Sequence, residues 1–138
     1  MSYYPSWATK ILHMEEDRIN PAQFQLENIE LYLHPKQQGR TNVIRGQELY
    51  EHLTAMGTIH KALGFSAGSE IVKRRVWLAP WAGKGIVLWK GVMQYFNGGL
   101  RVPVVVGGKN GVCLTWYWLD SDFGIDAPAG LYREYIVK

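Results

Sequence analysis

Apolar residues recur at steps of three and four along residues 46–64, GQELYEHLTAMGTIHKALG. This spacing puts the apolar side chains on one face of a helix, as in amphipathic helices that pack on a core. Gly64, placed soon after Lys61, is a typical helix end. The stretch therefore predicts a helix whose apolar stripe contains Leu49, Leu53, Met56, Ile59, His60 and Leu63.

A second helix is predicted earlier, over residues 20–33. Asn20 can cap a helix and Pro21 suits its first position. The apolar residues that follow at helical spacing are Leu26, Ile29 and Leu33. Residues 29–33 also alternate between apolar and polar, which is typical of a strand. We favour the helix and keep the strand as the alternative.

After Gly68 the chain becomes rich in Val, Ile, Trp and Tyr. Four such stretches, residues 71–79, 86–96, 100–106 and 111–119, are separated by APWAGKG, FNGG and GGKNG. Asn-Gly and Gly-Gly pairs between such runs predict hairpins. A last strand is predicted at residues 132–137. Pro103 lacks a backbone N–H, so we expect its strand to lie at an edge or to contain a bulge.

This order of elements predicts a single α+β domain over residues 1–138. Its N-terminal half, about residues 1–65, would be helical, and its C-terminal half, about residues 70–138, would be β-rich. The two helices would pack on one face of an antiparallel meander sheet of four to five strands.

Both faces of the strand predicted at residues 111–119 are apolar. Val112, Leu114, Trp116 and Trp118 point one way, and Cys113, Thr115, Tyr117 and Leu119 point the other. A sheet with one face in water alternates apolar and polar residues, so something must cover the second face. The N-terminal segment, a ligand or a second copy could do so. Self-association is the simplest explanation, and we expect a homodimer or a higher oligomer.

Composition bears on the cellular compartment of the protein. A single cysteine, Cys113, allows no internal disulfide, which favours a cytoplasmic location. The chain starts without the pattern of a signal peptide, and no apolar run approaches the roughly 20 residues of a membrane span. We therefore expect no membrane partner.

Charge is unevenly distributed along the chain. Residues 66–109 have a net charge of +6, whereas the first 35 and the last 29 residues are mildly acidic. Opposite blocks could pack together, or an anionic partner could bind the middle third. Rings interleaved with cations in residues 73–101 make single-stranded nucleic acid an alternative partner. The residues concerned are Lys73, Arg74, Arg75, Lys84, Lys90 and Arg101 with Trp77, Trp81, Trp89 and Tyr95.

The stretch CLTWYWLDSDFGID, residues 113–126, places rings directly before carboxylates. Ring faces and carboxylates suit a small amphipathic or cationic ligand. We expect an aromatic-lined cleft where the strands of residues 86–96 and 111–119 end. Its predicted walls are Trp89, Tyr95, Trp116 and Trp118, and its polar groups are Arg101, Asp120 and Asp122.

Motifs for metal, phosphate or catalysis do not fit. The acidic turn after Trp118 has Gly124 at the third ligand position of a calcium loop and Leu131 where that loop has glutamate. Neither Gly-Lys pair continues into a phosphate loop. His60 is predicted to be a core histidine and Cys113 a buried, unreactive thiol. We therefore predict no metal, no cofactor and no catalytic residue.

These observations favour a non-catalytic, self-associating binding module. Nucleic-acid binding is the second hypothesis, and an enzyme that acts through His60 or Cys113 is the third. No stretch has the motif of a known family. The chain resembles, in type alone, the small proteins encoded by mobile DNA such as integron gene cassettes.

Overall fold

The computed structural model describes residues 4–108 and 110–133. Within these residues the chain forms nine strands and two α-helices. In chain order they are β1 (Ala8–Ile11), β2 (Ile29–Tyr32), β3 (Ile44–Arg45), α1 (Gly46–Ala55), α2 (Phe65–Arg74), β4 (Gly85–Val87), β5 (Met93–Tyr95), β6 (Leu100–Gly108), β7 (Gly111–Trp118), β8 (Asp122–Phe123) and β9 (Ala129–Tyr132).

Seven of these strands form one mixed, curled sheet that resembles half a barrel. Its order is β1-β5-β6-β4-β9-β2, and β7 pairs with the other side of β6. β3 and β8 form a separate two-stranded sheet. The predicted antiparallel meander of four to five strands is therefore wrong. β4 runs parallel to β9 through Val87 and Ala129, and β1 and β2 add strands from the half predicted to be helical.

The helix predicted over residues 20–33 is also wrong, and the strand alternative is right for its second half. Asn20 accepts a hydrogen bond from the Ala22 N–H, but this turn does not continue. The Arg74 guanidinium binds the carbonyl oxygens of Pro21 and Phe24, which a growing helix would need. A single 3-10 turn, Leu26–Asn28, follows, and β2 then pairs with β9.

The amphipathic helix is confirmed in its first half. α1 buries Leu49 and Leu53, and the chain then turns at Gly57, whose φ of 75° favours glycine. A 3-10 turn, Thr58–Lys61, replaces the rest of the predicted helix. Ile59 stays buried, whereas Met56 and His60 are exposed, so the predicted stripe is interrupted after the turn.

The strand predicted at residues 71–79 does not form. Residues 71–74 belong to α2, and residues 75–78 form a turn and irregular chain. The helix rests on the sheet through Gly68, where an added Cβ would lie 2.4 Å from Leu88 Cδ1 and 3.0 Å from Leu114 Cδ1. Ile71, one turn later, is fully buried in the same cluster. Tertiary packing therefore overrides the strand preference of the β-branched residues that suggested a strand.

The strand predicted at residues 86–96 is divided. β4 and β5 both pair with β6, and a 3-10 turn, Trp89–Gly91, separates them. Pro103 had suggested that its strand lies at an edge or contains a bulge. β6 is paired along both edges, so it is not an edge strand. The Pro103 carbonyl accepts a hydrogen bond from the Leu88 N–H. The Pro103 nitrogen points to the same side, towards the 3-10 turn between β4 and β5, so its missing N–H removes no hydrogen bond of the sheet.

The two helices lie on opposite faces of the sheet, not on one. On one face, Leu49 and Leu53 of α1 join a core cluster with Val102 and Val104. On the other face, Ile71 of α2 packs in a cluster with Val105. Elements of the same chain therefore cover both faces of β6, and the apolar second face does not by itself require another copy.

The remaining expectations concern the end of the chain. The last strand, β9, begins and ends earlier than the predicted residues 132–137, and residues 134–137 of that prediction lie outside the described residues. No helix in the described part of the chain has the length and apolar character needed to cross a membrane.

We expect Gly46→Ala to destabilise the protein by roughly 1–3 kcal/mol, because crowding in a packed site forces neighbouring groups to move. A Cβ at Gly46 would lie 2.6 Å from the Leu119 carbonyl oxygen. That carbonyl accepts the Gln47 N–H, so it cannot move without disturbing the start of α1. Urea unfolding measures the change.

The matched control is Gly108→Ala, where an added Cβ meets nothing within 4 Å. The two variants should differ clearly in unfolding midpoint. Equal midpoints would show that the start of α1 tolerates a side chain.

Candidate functional site

A cavity of about 600 Å³ opens beside the start of α2. One wall is formed by residues 16–25, and another by residues 60–64. Ala67 of α2, Lys90 and Tyr132 complete the lining. Three separate parts of the chain thus meet here, and the cavity has the size of a small-molecule site.

The wall of residues 20–25 is fixed by contacts that do not depend on a ligand. Arg74 donates to the carbonyls of Pro21 and Phe24 and is paired with Glu70 at 2.7 Å. The Phe24 ring stacks on Tyr132 with centroids 5.1 Å apart, and the Tyr132 hydroxyl accepts the Gln25 N–H. The cavity is therefore largely preformed.

Asp17 forms the inner polar end of the cavity. Its carboxylate accepts the Ser66 N–H at 2.9 Å, so it caps α2 from 49 residues away. The Tyr4 hydroxyl donates to its other oxygen at 3.2 Å. Gly64 leaves room for this contact, because a Cβ there would lie 2.3 Å from Asp17 Oδ1. Asp17 thus belongs to the framework as well as to the cavity wall.

Burial raises the pKa of the Asp17 carboxyl above its ordinary value of 3.8. Hydrogen bonds from Ser66 and Tyr4 favour the charged form and oppose this rise, but they are the smaller effect. The hydrogen bonds therefore compensate only part of the free energy that burial costs the ionised carboxylate.

Lys90 brings a cation to the same cavity from the 3-10 turn between β4 and β5. The side chain is almost buried, and its ammonium donates to the His60 carbonyl at 2.7 Å. Its backbone N–H donates to the Leu63 carbonyl, which fixes the turn against the cavity wall. Lys90 is thus held in position before any ligand arrives.

Glu16 and His60 are hydrogen-bonded at the cavity mouth, with 2.8 Å between Glu16 Oε2 and His60 Nδ1. This hydrogen bond is the main cause of the lowered pKa of Glu16. Behind it, His13 Nε2 lies 2.6 Å from the Tyr50 hydroxyl. Burial lowers the pKa of His13 and raises that of Tyr50, which favours the neutral form of both groups.

Four of the groups with shifted pKa values therefore lie at this cavity or directly behind it, whereas His34 and Glu48 lie elsewhere. Such grouping, beside a preformed cavity, is common at functional sites, although structural ion pairs produce it too. We take the cavity as the candidate site. The residues concerned are His13, Glu16, Asp17 and Tyr50.

The aromatic cleft predicted from the sequence is assembled in part. Tyr95, Arg101, Trp116 and Trp118 lie together on the α2 face of the sheet, beyond the start of the helix. Trp7 joins them, with its ring centroid 4.7 Å from that of Trp116. These five residues are called the aromatic cluster below.

The cluster already holds a cation, since the Arg101 guanidinium lies over three of its rings. The other predicted members lie elsewhere. Trp89 is fully buried on the opposite face, near Phe123, and its indole N–H has no hydrogen-bond partner among the described residues. Asp120 and Asp122 are exposed in and after the turn that follows β7.

The basic, ring-rich surface predicted for nucleic acid is not assembled as expected. Trp81 and Trp89 are buried, and Trp77 packs its ring against Trp81 at 5.0 Å. Arg74 is engaged by Glu70, and Lys90 faces the cavity. Trp77, Trp81 and Trp89 therefore pack on other rings of the fold, and Tyr95, the fourth predicted ring, lies under the Arg101 guanidinium.

Two predictions about reactive side chains are wrong. His60 is exposed at the cavity mouth and not in the core, because the chain turns at Gly57 and rotates it out of the stripe. Cys113 is exposed, because its side of β7 is only partly covered. Among the described residues, no cluster of three or more His, Cys, Asp or Glu could hold a metal ion.

Sequence reasoning missed Asp17, Lys90 and Tyr132 as cavity residues. Glu15, Glu16 and Asp17 form an acidic run that is typical of a solvated turn, and nothing local shows that its last carboxylate caps a helix. Lys90 gave the one usable indication, since a lysine among apolar residues must find a polar partner when buried.

Comparisons with protein families, curated proteins and solved structures find no match to this chain.

Asp17 should make stability depend on pH in a defined direction. A raised folded-state pKa means that its stabilising contribution is complete below about pH 3.8 and is lost as the pH rises through the folded pKa. We therefore compare the unfolding free energy of the unchanged protein with that of Asp17→Asn. The difference, unchanged protein minus variant, should decrease as the pH is raised from 4 to 7. Urea unfolding at several pH values measures this difference.

Asp17→Ala is the companion variant, because asparagine can still accept the Ser66 N–H and alanine cannot. It should lose about 1 kcal/mol relative to Asp17→Asn, the usual effect of losing a helix cap. A difference between protein and Asp17→Asn that rises with pH would contradict the buried, partly compensated carboxylate.

Proposed function

We propose that this protein is a non-catalytic binding module that holds a small amphipathic ligand, with an acidic head group, in the cavity beside α2. The observation that supports this most is the state of the lining charges. Both carboxylates of the wall have partners within the protein, whereas two cations at the mouth form no ion pair with any residue that the structure describes.

The carboxylates have protein partners. Glu16 is paired with His60 at 2.8 Å, and Asp17 accepts the Ser66 N–H. Arg18 and Lys61 are both exposed, and neither side chain forms an ion pair within residues 4–108 and 110–133. With Lys90 deeper inside, the mouth favours an anion over a cation.

The apolar part of the lining suits a hydrocarbon or ring. Burying such a group releases about 25 cal/mol per Å² of apolar surface, which drives binding of an amphipathic molecule. The apolar side chains of the wall come from residues 16–25, 60–64 and α2. They are Ile19, Ala22, Phe24, Ala62, Leu63 and Ala67.

The same geometry argues against a cationic ligand. Of the four rings predicted to receive a cation, Tyr95 and Trp118 already lie under the Arg101 guanidinium, and Trp89 is fully buried elsewhere. Asp120 and Asp122, the predicted counter-charges, lie outside the cluster. The amphipathic ligand of the sequence-based hypothesis is kept here, and its charge is reversed.

An enzyme is the alternative function. His60 is accessible, lies in the cavity and has a charged partner, so the His60–Glu16 pair could transfer a proton. The described lining contains no serine, threonine or cysteine side chain that such a base could activate. The non-catalytic hypothesis is therefore preferred.

The proposal includes a reducing, cytoplasmic setting, for which the single cysteine is the support. It also includes self-association. The supporting feature is the outer edge of β7, an eight-residue strand that pairs only with β6 among the described residues. Free strand edges readily pair with another chain.

Decanoate, an amphipathic anion, should bind in the cavity. Ala22→Trp should lower its affinity at least about tenfold, or about 1.4 kcal/mol, because the added ring would fill the mouth. Ala55→Trp, an equally exposed change at the end of α1, should bind like the unchanged protein. Isothermal titration calorimetry gives the affinities.

A matched cation, decyltrimethylammonium, tests the charge of the site. Lys61→Gln should weaken decanoate and leave the cation unaffected or bound more tightly. Absence of heat with decanoate, or equal binding by the two tryptophan variants, would refute the cavity hypothesis.

Native mass spectrometry tests self-association separately. We expect a dimer of the 15.8 kDa chain, and we expect Cys113→Lys to shift the population towards monomer, because charges on a strand edge oppose pairing. Cys113→Ser is the control for loss of the thiol. A monomer of the unchanged protein at micromolar concentration would remove self-association without affecting the cavity hypothesis.

A further inference from the structure

The Arg101 guanidinium lies over three aromatic rings at once. The distances from its central carbon to the ring centroids are 5.0 Å for Trp7, 4.7 Å for Tyr95 and 4.3 Å for Trp118. Each lies within the range in which a cation is attracted to the face of a ring. No other cation of the described residues has ring contacts of this number.

The sheet positions this side chain. Arg101 lies in β6, and its register partners are Met93 of β5 and Trp118 of β7. Gly99 lets the Trp118 ring lie against the chain, because a Cβ there would be 2.8 Å from Trp118 Cζ3. The N-terminal segment adds Trp7 from a distant part of the sequence, so three separate segments supply the rings.

No group among the described residues binds the hydrogen-bonding edges of this guanidinium. Within residues 4–108 and 110–133, the Arg101 side chain makes no hydrogen bond and no ion pair. Three other arginines have partners: Arg74 donates to Glu70 and two carbonyls, Arg133 pairs with Glu30, and Arg45 donates to the Asp120 carbonyl. Arg101 is therefore held by its faces while its donors stay open.

We propose that Arg101 binds the carboxylate of a small aromatic organic acid at the surface of the aromatic cluster. A carboxylate can accept two parallel N–H donors from a guanidinium. The rings restrict the side chain before binding, which lowers the entropy lost when a ligand binds. One cation matches one carboxylate, whereas a phosphate dianion favours several donors and cations.

Phe96 supplies an apolar surface for the rest of the ligand. Its side chain is 71% exposed, and its ring centroid lies 4.2 Å from that of Tyr95. Exposure of this ring to water is unfavourable. An aromatic group of a ligand bound by Arg101 would cover it.

This site is separate from the cavity of the proposed function. The aromatic cluster is formed by β5, β6, β7 and the segment around Trp7, and none of its five members lines the cavity. Either site can therefore exist without the other, and each needs its own test.

The test is a titration of the unchanged protein with phenylacetate, followed by nuclear magnetic resonance. The Nε–H resonance of Arg101 should shift and saturate, because this group is a donor to the bound carboxylate. Phenyl phosphate should bind more weakly, and phenethylamine should leave the resonance unchanged. Binding at the cavity alone would not move this resonance, so the two hypotheses are distinguished.

Variants show whether the guanidinium is the receptor. Arg101→Lys keeps the charge and loses the two-donor geometry, and it should weaken phenylacetate at least about tenfold. The matched control is Arg40→Lys, at an exposed arginine outside the cluster, which should bind like the unchanged protein. Phe96→Ala should weaken phenylacetate and retain the shift of the Arg101 resonance.

Three results would overturn the proposal. The first is an Arg101 resonance of the unchanged protein that does not respond to phenylacetate at any concentration tested. The second is tighter binding of phenyl phosphate than of phenylacetate, which would make the cluster a phosphate site. The third is equal binding of phenylacetate by Arg101→Lys and Arg40→Lys, which would leave Arg101 a purely structural cation. The first result decides the question even if Arg101→Lys does not fold.

Discussion

The burial of β6 on both faces is the constraint on which the rest of this structure depends. Val102 and Val104 point into the cluster formed with α1, and Val105 points into the cluster formed with α2. β7 pairs along one edge of the strand, while β5 and β4 pair with opposite ends of the other edge. A strand surrounded in this way needs cover on both faces, which is why the helices separate and the sheet curls.

Asp17 links this framework to the candidate site. Its carboxylate caps α2 at the Ser66 N–H, and α2 provides both the cover of the second face and one wall of the cavity. Gly64 makes the contact possible by leaving out a side chain. The cavity is thus a consequence of how the second face is covered, and its buried carboxylate serves structure first. This explains why, in the described part of the chain, the charges at its mouth that form no ion pair, on Arg18 and Lys61, are cations.

Tyr95, Trp116, Trp118 and Arg101 could be predicted to lie together because strand periodicity places them on one face of neighbouring strands. Trp89 could not be excluded from that group, because the 3-10 turn at Trp89–Gly91 breaks the periodicity and directs the indole into the opposite core. Trp7 could not be included, because it comes from a segment without a clear pattern. The cluster therefore differs from the predicted cleft through one local break and one distant contact, and its own arginine occupies the ring faces.

The sequence by itself determined the elements whose signals are local. It specified the start of α1 at residue 46, the strands β6 and β7 with the turn between them, and the apolar character of both faces of β7. Tertiary structure alone decided the rest. The end of α2 lies where the start of a strand was predicted, because the helix is stabilised by a cap 49 residues away in the sequence and by close packing at Gly68. β2 replaced the second half of a predicted helix, because Arg74 and β9 bind the backbone groups that a helix would use. Periodicity reports which residues are apolar along a short stretch, whereas contacts between distant segments determine which backbone conformation those residues finally adopt.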